Sequence, residues 1–288
     1  VLQSGLGNLP ELFISIFALR AGLVGVVKSA LIGSILANLL LVLGLAFVVG
    51  GLRHGSQKLG AGRARGIVTL ILLSVSAMAI PSIAHWVHTP AGGHEQAFSM
   101  IVSVALLVLF CLYLPASLKK GGSPAREQQG ESVPPRWPLW LATGLLAAAG
   151  TLAAFVSDWF IDALTPAMSS LHISQAFAGL VVVAIAGNAI ENVVGVQLAA
   201  KGESEYAFSI ILNSPLQIAL VLAPLLVIIS AVFGLATLTL VFSPLLIVAM
   251  FVAVLLAAFI SFDGESNWME GACLMALYVV IAVAFWWG

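Results

Sequence analysis

The sequence predicts an all-helical, multi-pass integral membrane protein built from two related halves. Three observations carry this expectation. Of 288 residues, 61% are hydrophobic and only 8% charged, with a mean hydropathy of +1.13, whereas a soluble domain carries about 25% charged residues. The chain also divides into nine apolar runs, and a 180-residue offset lays one polar signature on another. With so little polar surface, lipid is the expected solvent.

The runs lie near 1–19, 29–51, 66–88, 97–118, 138–163, 174–199, 206–232, 237–261 and 267–287. Backbone groups cannot go unpaired in lipid, so each run is a helix or a barrel strand. Barrel strands alternate polar and apolar residues, and runs such as Leu39 to Gly50 do not. They read as helices. The basic residues orient them: Arg53, Lys58, Arg63 and Arg65 fill loop 52–65, and Lys119, Lys120, Arg126 and Arg136 fill loop 119–137. Two helices separate these loops, so both face the cytoplasm together with Lys201, leaving only Arg20 and Lys28 outside. The polar stretch 121–136 reads as a linker.

That linker divides a first repeat, 1–118, from a second, 138–288, with 119–137 between them. The 180-residue shift matches Gly7, Asn8 and Glu11 to Gly187, Asn188 and Glu191, and then Gly22 to Gly202, Ser29 to Ser209 and Ser34 to Ser214. The Glu11 and Glu191 helices run in opposite directions by this topology. The expectation is an inverted-topology repeat of five-helix units, with a substrate site near the midplane where the repeats meet. Symmetry with run 138–163 calls for a further helix ahead of Leu2. The first repeat is therefore expected to lack its first helix here, leaving about nine transmembrane helices and a chain that does not transport unaided.

Glu11 and Glu191 sit deep in apolar runs, where a charge costs about 2.5–3.5 kcal/mol on insertion scales. One reading is a carboxylic acid kept neutral by a buried hydrogen bond; the sharper one is a shared cation and proton site. Proton and cation compete for a buried carboxylate, and two carboxylates balance one divalent cation or two protons. Asn8 and Asn188 lie three residues before each Glu, on the same helical face. Gly7, Gly187 and Pro10 weaken the helix there and free backbone carbonyls. Ser34, Asn38, Ser214 and Gln217 add neutral oxygens from the following run. For the two serines, helix packing by small polar residues is the competing reading. An all-oxygen set suits Ca2+ and disfavours Zn2+ or Cu.

The segments GNLPEL at 7–12, GSILANLLLVLG at 33–44, GNAIEN at 187–192 and NSPLQIA at 213–219 resemble the paired signatures of the cation/proton exchangers of the CAX type, within the cation/Ca2+ exchanger superfamily. The resemblance covers both repeats. It implies a ten-helix core, usually with one extra leading helix, and Ca2+/H+ antiport. It also implies acidic ligands at Glu11 and Glu191, Asn ligands at Asn8 and Asn188, and later polar positions at Ser34, Asn38, Ser214 and Gln217. Asn192 stands where the family's second signature usually has His. Ala37 stands for a frequent Ser, and Asn213 and Pro215 for Gly and Ser.

The expected partners are the bilayer and the transported ions, H+ with Ca2+, or with Na+ or Mn2+ in its place. No cofactor, enzymatic activity or nucleic-acid binding is expected, and the expected location is a bacterial plasma membrane. Exchange of the Na+/H+ or Na+/Ca2+ type is the alternative within the class, although sodium/calcium exchangers usually place a hydroxyl where this chain has Asn8 and Asn188. An intramembrane enzyme is a remote alternative, and a channel fits a paired, enclosed site less well. Asp158 and Asp162 are expected at the outer end of the fifth run, solvated. His85, His88, His94 and Glu95 flank an outer loop without a metal-binding pattern. Cys111 and Cys273 are expected to be buried, and the tryptophans at 137, 140, 159, 268, 286 and 287 to sit at run ends.

Overall fold

A computed structural model describes residues 8–120 and 138–287 of the chain. Gly7, Trp137 and the linker from 121 onward lie outside the described residues. Ten helices follow in order. The first five are α1 (Leu9–Arg20), α2 (Val24–His54), α3 (Ala61–Trp86), α4 (Glu95–Lys120) and α5 (Leu139–Leu171). After them come α6 (Gln175–Gly187), α7 (Ala189–Ala200), α8 (Ser204–Val232), α9 (Pro244–Asp263) and α10 (Trp268–Ala284). Among the described residues, six helices are long and apolar enough to cross a bilayer, and the α6–α7 pair, bent by 63°, passes the same test taken as one span.

Helices α2 and α8 are the most buried spans and form the centre, while α4 and α5 lie at the rim. The Phe47 and Phe208 rings stack between the central pair at 6.1 Å. Both spans widen into a π-helical stretch midway, Ala37–Val42 in α2 and Ile218–Leu222 in α8. Each widening has a local cause. The Asn38 side chain inserts into the ladder and donates to the Ser34 carbonyl at 2.9 Å, while Pro215 has no N–H to give the carbonyl four residues back. Such stretches recur at functional sites.

The loops sort into two faces. On the basic face, Arg53 and His54 reach the Ala200 carbonyl at the end of α7, at 3.4 and 3.1 Å. There too β1 (Gln57–Lys58) pairs antiparallel with β2 (Glu265–Ser266), and Arg65 donates to the Phe262 carbonyl at 3.0 Å. On the opposite face, Ser174 donates to the Phe285 carbonyl at 2.5 Å, and Phe177 meets Trp286 edge-on at 4.6 Å.

Three expectations change. The run at 237–261 does not begin as a helix: α9 starts at Pro244, whose fixed φ suits a first helical turn, and residues 235–243 form an irregular strap. The fifth run continues to Leu171, so Asp158, Asp162 and Trp159 lie within α5, not at its end. Cys111 and Cys273 are exposed, because lipid accepts apolar surface and hydrophobicity alone does not say which helix face turns inward.

The strap is buried, with Leu238, Leu240 and Phe242 at 1%, 0% and 2% exposure, so its backbone groups need partners inside the protein. Serines supply them. The Leu238, Leu240 and Phe242 N–H groups donate to the hydroxyls of Ser230, Ser99 and Ser82 at 3.1, 2.9 and 2.9 Å. Ser82 returns its own proton to the Leu240 carbonyl at 2.9 Å. From α2, the Lys28 amine donates to Thr239 Oγ1 at 3.1 Å and to the Val241 carbonyl at 2.6 Å. The substitution Ser82→Ala strands one buried donor and one buried acceptor, and is expected to cost about 1–3 kcal/mol per stranded group. The measurement is thermal unfolding in detergent, with a lowered melting temperature expected.

Candidate functional site

A helix start at Asn8 and a helix break at Asn188 create the site. Pro10 lies in the first turn of α1, so Asn8 stays ahead of the ladder at φ −83°, ψ 5°, and the Leu12 N–H donates back to its carbonyl at 3.0 Å. The break is at Asn188, φ −104°, ψ 13°, where the Asn192 N–H donates to the Asn188 carbonyl, again at 3.0 Å. The Asn188 amide donates to the Ala184 carbonyl at 2.9 Å, taking the acceptor that a continuous helix would give to a backbone N–H. Each Glu then emerges in the first turn of its helix.

The two points are packed together by missing side chains. A Cβ on Gly33 would lie 2.4 Å from Leu180 Cα, and one on Gly187 would lie 3.2 Å from Glu11 Cβ. Gly33 therefore lets α2 cross α6 backbone to backbone, and Gly187 lets α6 end against Glu11. Glu11 and Ser34 have no exposed surface, and Asn38, Asn188 and Ser214 are each only 1% exposed.

One network joins all eight residues singled out in the sequence, apart from the Asn8–Gln217 pair, which stands beside it. Ser34 Oγ donates to Glu11 Oε1 and accepts from Asn188 Nδ2 at 3.0 Å. Ser214 Oγ donates to Asn188 Oδ1 at 3.1 Å and accepts from Asn38 Nδ2 at 3.3 Å. Ser214 is also within hydrogen-bonding reach of Glu191, as Ser34 is of Glu11. Asn8 Nδ2 donates to Gln217 Oε1 at 3.2 Å. Every long-range bond joins a residue before the linker to one after it, save the Ser34–Glu11 and Ser214–Asn188 pairs.

Donors are used up, and acceptors remain. Glu11 Oε2, Glu191 Oε2, Asn8 Oδ1 and Asn38 Oδ1 are buried without a hydrogen-bond partner. Buried acceptors are ordinarily paired, so four unpaired oxygens in one cluster suit a hard cation or protons. Ser15, which the sequence reading did not single out, and Asn192, which it noted only as a departure from the resembled signature, also have a buried and unpaired oxygen, Ser15 Oγ and Asn192 Oδ1. For Ser15, four residues after Glu11, helical spacing was the available signal. The weaker candidates are elsewhere: His85 Nδ1 pairs with Glu95 Oε1 at 2.6 Å beside the turn between α3 and α4. Among the described residues, no three His, Cys, Asp or Glu side chains are grouped to hold a metal.

The sequence pattern of the family described as sodium/calcium exchanger protein matches residues 2–119 and 141–287. A "Ca(2+)/H(+) antiporter" of Aphanothece halophytica is 35% identical over 99% of this chain and 80% of its own length. The "Ca(2+)/H(+) antiporter ChaA" of Bacillus subtilis (strain 168) is 37% identical over 99% and 82%. The solved structure of native YfkE superimposes with a TM-score of 0.82 at 36% identity, covering 97% of this chain and 81% of its own. An H+/Ca2+ exchanger CAX shares the fold at 16% identity and a TM-score of 0.69, covering 96% and 74%.

The close crossing at Gly33 generates a prediction. Gly33→Ala places a methyl group against the α6 backbone, which has no flexible end to move aside, and is expected to destabilise the protein by about 1–3 kcal/mol. Because α6 leads straight into Asn188, the same variant is expected to weaken equilibrium Ca2+ binding. Calorimetric titration alongside a thermal melt checks both.

Proposed function

The chain belongs to the sodium/calcium exchanger protein family, and we propose that it is a secondary antiporter exchanging Ca2+ for H+. The observation that carries this is a pair of carboxylates, Glu11 buried and Glu191 half-buried, each with one enclosed, unpartnered oxygen, flanked by the unpartnered amide oxygens of Asn8 and Asn38. The relatives at 35% and 37% identity bear the name Ca2+/H+ antiporter. On this reading Glu11 and Glu191 take either one Ca2+ or two protons, so charge balances in both loaded forms. Ser34 and Ser214 hold the carboxylates, Asn188 ties the two serines together, and Asn8, Asn38 and Gln217 contribute oxygens. The cation is cargo, and no resident cofactor enters the scheme.

The architecture that performs the exchange is read as two inverted repeats, 1–118 and 138–288, about the linker 119–137. Element boundaries support it. Moved by 180 residues, α1 (Leu9–Arg20) falls on α7 (Ala189–Ala200), and the start of α2 at Val24 falls on the start of α8 at Ser204. The left-handed Gly22 and Gly202, at φ 76° and 82°, coincide as well. Helix α5 packs along α1, and among the described residues Ile190 and Val193 on the matching flank of α7 are 75% and 55% exposed. Movement of the helices flanking the site past it is the proposed route to alternating access.

The variants Glu11→Gln and Glu191→Gln are each expected to abolish antiport while leaving the protein folded. The assay is pH-gradient-driven Ca2+ uptake in reconstituted vesicles, with Na+ and Mn2+ arms. Retained Ca2+ flux in either variant sinks the assignment.

Competition fixes the sign of the pH dependence. Protons occupy the carboxylates as pH falls, so apparent Ca2+ affinity is expected to rise with pH, by up to about two decades per unit if two protons leave per ion. Affinity that stays flat from about pH 6 to 9 would remove proton coupling from the mechanism.

A further inference from the structure

One cavity faces the basic side of the protein. It is a cleft of about 230 Å3 between the first turns of α3 and α8, lined by Leu59, Gly60, Ile67, Glu205, Tyr206 and Ser209 among others. At roughly 30 Å3 per water it holds several waters, or a cation with part of its hydration shell. Gly60 makes room for the carboxylate: a Cβ there would lie 3.0 Å from Glu205 Oε1. Among the described residues Glu205 forms no ion pair.

From the cleft a polar column runs inward along α8. Glu205, Ser209, Asn213 and Gln217 recur every four residues in α8, which keeps them on one winding flank. Over about 18 Å of helix the side chains pass from exposed (Glu205) through half-buried (Ser209, Asn213) to 4% exposed (Gln217). Asn213 donates to the Ser209 carbonyl at 2.7 Å, and Gln217 accepts from Asn8 at the carboxylate cluster. Polar side chains at membrane depth are costly and mark ion pathways.

The opposite face lacks this arrangement. By the 180-residue correspondence the column maps onto Gly25, Ser29, Gly33 and Ala37, which carry no carboxylate and no amide. Leu59 and Phe208 in the cleft map onto Thr239 and Lys28. There the Lys28 amine ties α2 to the strap. One face has a carboxylate beside an open cleft, and on the other the position of Glu205 is taken by Gly25, with the Lys28 amine one turn further along the helix.

We propose that this cleft is the mouth through which the transported cation reaches Glu11 and Glu191 from the basic face. Glu205 is its first ligand, and Ser209 and Asn213 supply the oxygens between it and Gln217. The proposal rests on the transport-site reading above. A carboxylate among hydroxyl and amide oxygens suits Ca2+, and a negative charge in a cleft raises the local cation concentration.

The test uses the full chain in reconstituted vesicles with Ca2+ offered to the basic face. Glu205→Gln is expected to raise the half-saturating Ca2+ concentration about three- to ten-fold at low ionic strength, with the maximal rate unchanged. Glu205→Asp retains wild-type behaviour, and in about 1 M salt the difference collapses. In a Cys111→Ala, Cys273→Ala background, Asn213→Cys is expected to react with a cationic, membrane-impermeant thiol reagent from the basic face only. Ca2+ should slow that reaction, and the reaction should stop transport. Wild-type Ca2+ dependence in Glu205→Gln, or an Asn213→Cys that is inert or reacts from the other face, overturns the proposed path. Glu11→Gln and Glu191→Gln run in parallel separate the two ideas. If they retain antiport, both readings fall; if they lose it while the path tests are negative, only the mouth is wrong.

Discussion

Glu11 has no exposed surface and lies within an apolar span, and burying a carboxylate is tolerable only when something answers it. Most of the central architecture follows from that requirement. Ser34 must be presented to it, so α2 has to approach closely, and Gly33, next to Ser34, is where α2 meets the α6 backbone. Asn188 must reach Ser34, so the chain break there has to end at the same depth, and Gly187 lets it end against Glu11. The answer is incomplete on purpose. One oxygen of each carboxylate is left without a hydrogen-bond partner.

A site that exchanges ions needs an environment rigid enough to hold oxygens and loose enough to release them. Here rigidity comes from α2 and α8, the two most buried spans, and the adjustable elements are the helix start at Asn8 and the break at Asn188 with the π-helical stretches beside them. The strap at 235–243 contributes on the outer side. Its alternate N–H groups are met by serines from three helices, which ties α3 and α4 to the end of α8. Lys28 adds a fourth anchor from α2. The basic side is held more lightly, by a two-residue ladder and by Arg53 and His54 at the end of α7. The two similar halves are therefore tied differently at the two faces.

Some features were legible from the sequence because their signals are short in range. Low charge and long apolar runs required a membrane protein. A pattern that repeats at 180 residues, with Asn three places before Glu in both copies, required two equivalent polar positions on helices. Those signals also chose the eight site residues, and the tertiary contacts gather them. What the sequence did not disclose was direction: Cys111 and Cys273 sit in apolar runs and face outward, because in lipid an apolar residue suits either side of a helix. The strap was hidden for a related reason, since residues 237–243 are as hydrophobic as a span but are paired by hydroxyls from distant helices.

By itself, then, the sequence determined the solvent, the helices, the paired signatures and the chemistry of the ligands, since each depends on composition or on spacing within a few turns. Only the tertiary structure decided which oxygens are already paired and which are free. Ser34 and Ser214 carry the same label in the two signatures, yet Ser34 donates to a carboxylate and Ser214 to an amide. Ser15 became visible only through its buried, unpartnered oxygen. The cleft at Glu205 likewise exists only because the first turns of α3 and α8, more than a hundred residues apart in sequence, meet on one face. Pairing and enclosure are properties of groups far apart in the chain, and the fold alone brings them within reach.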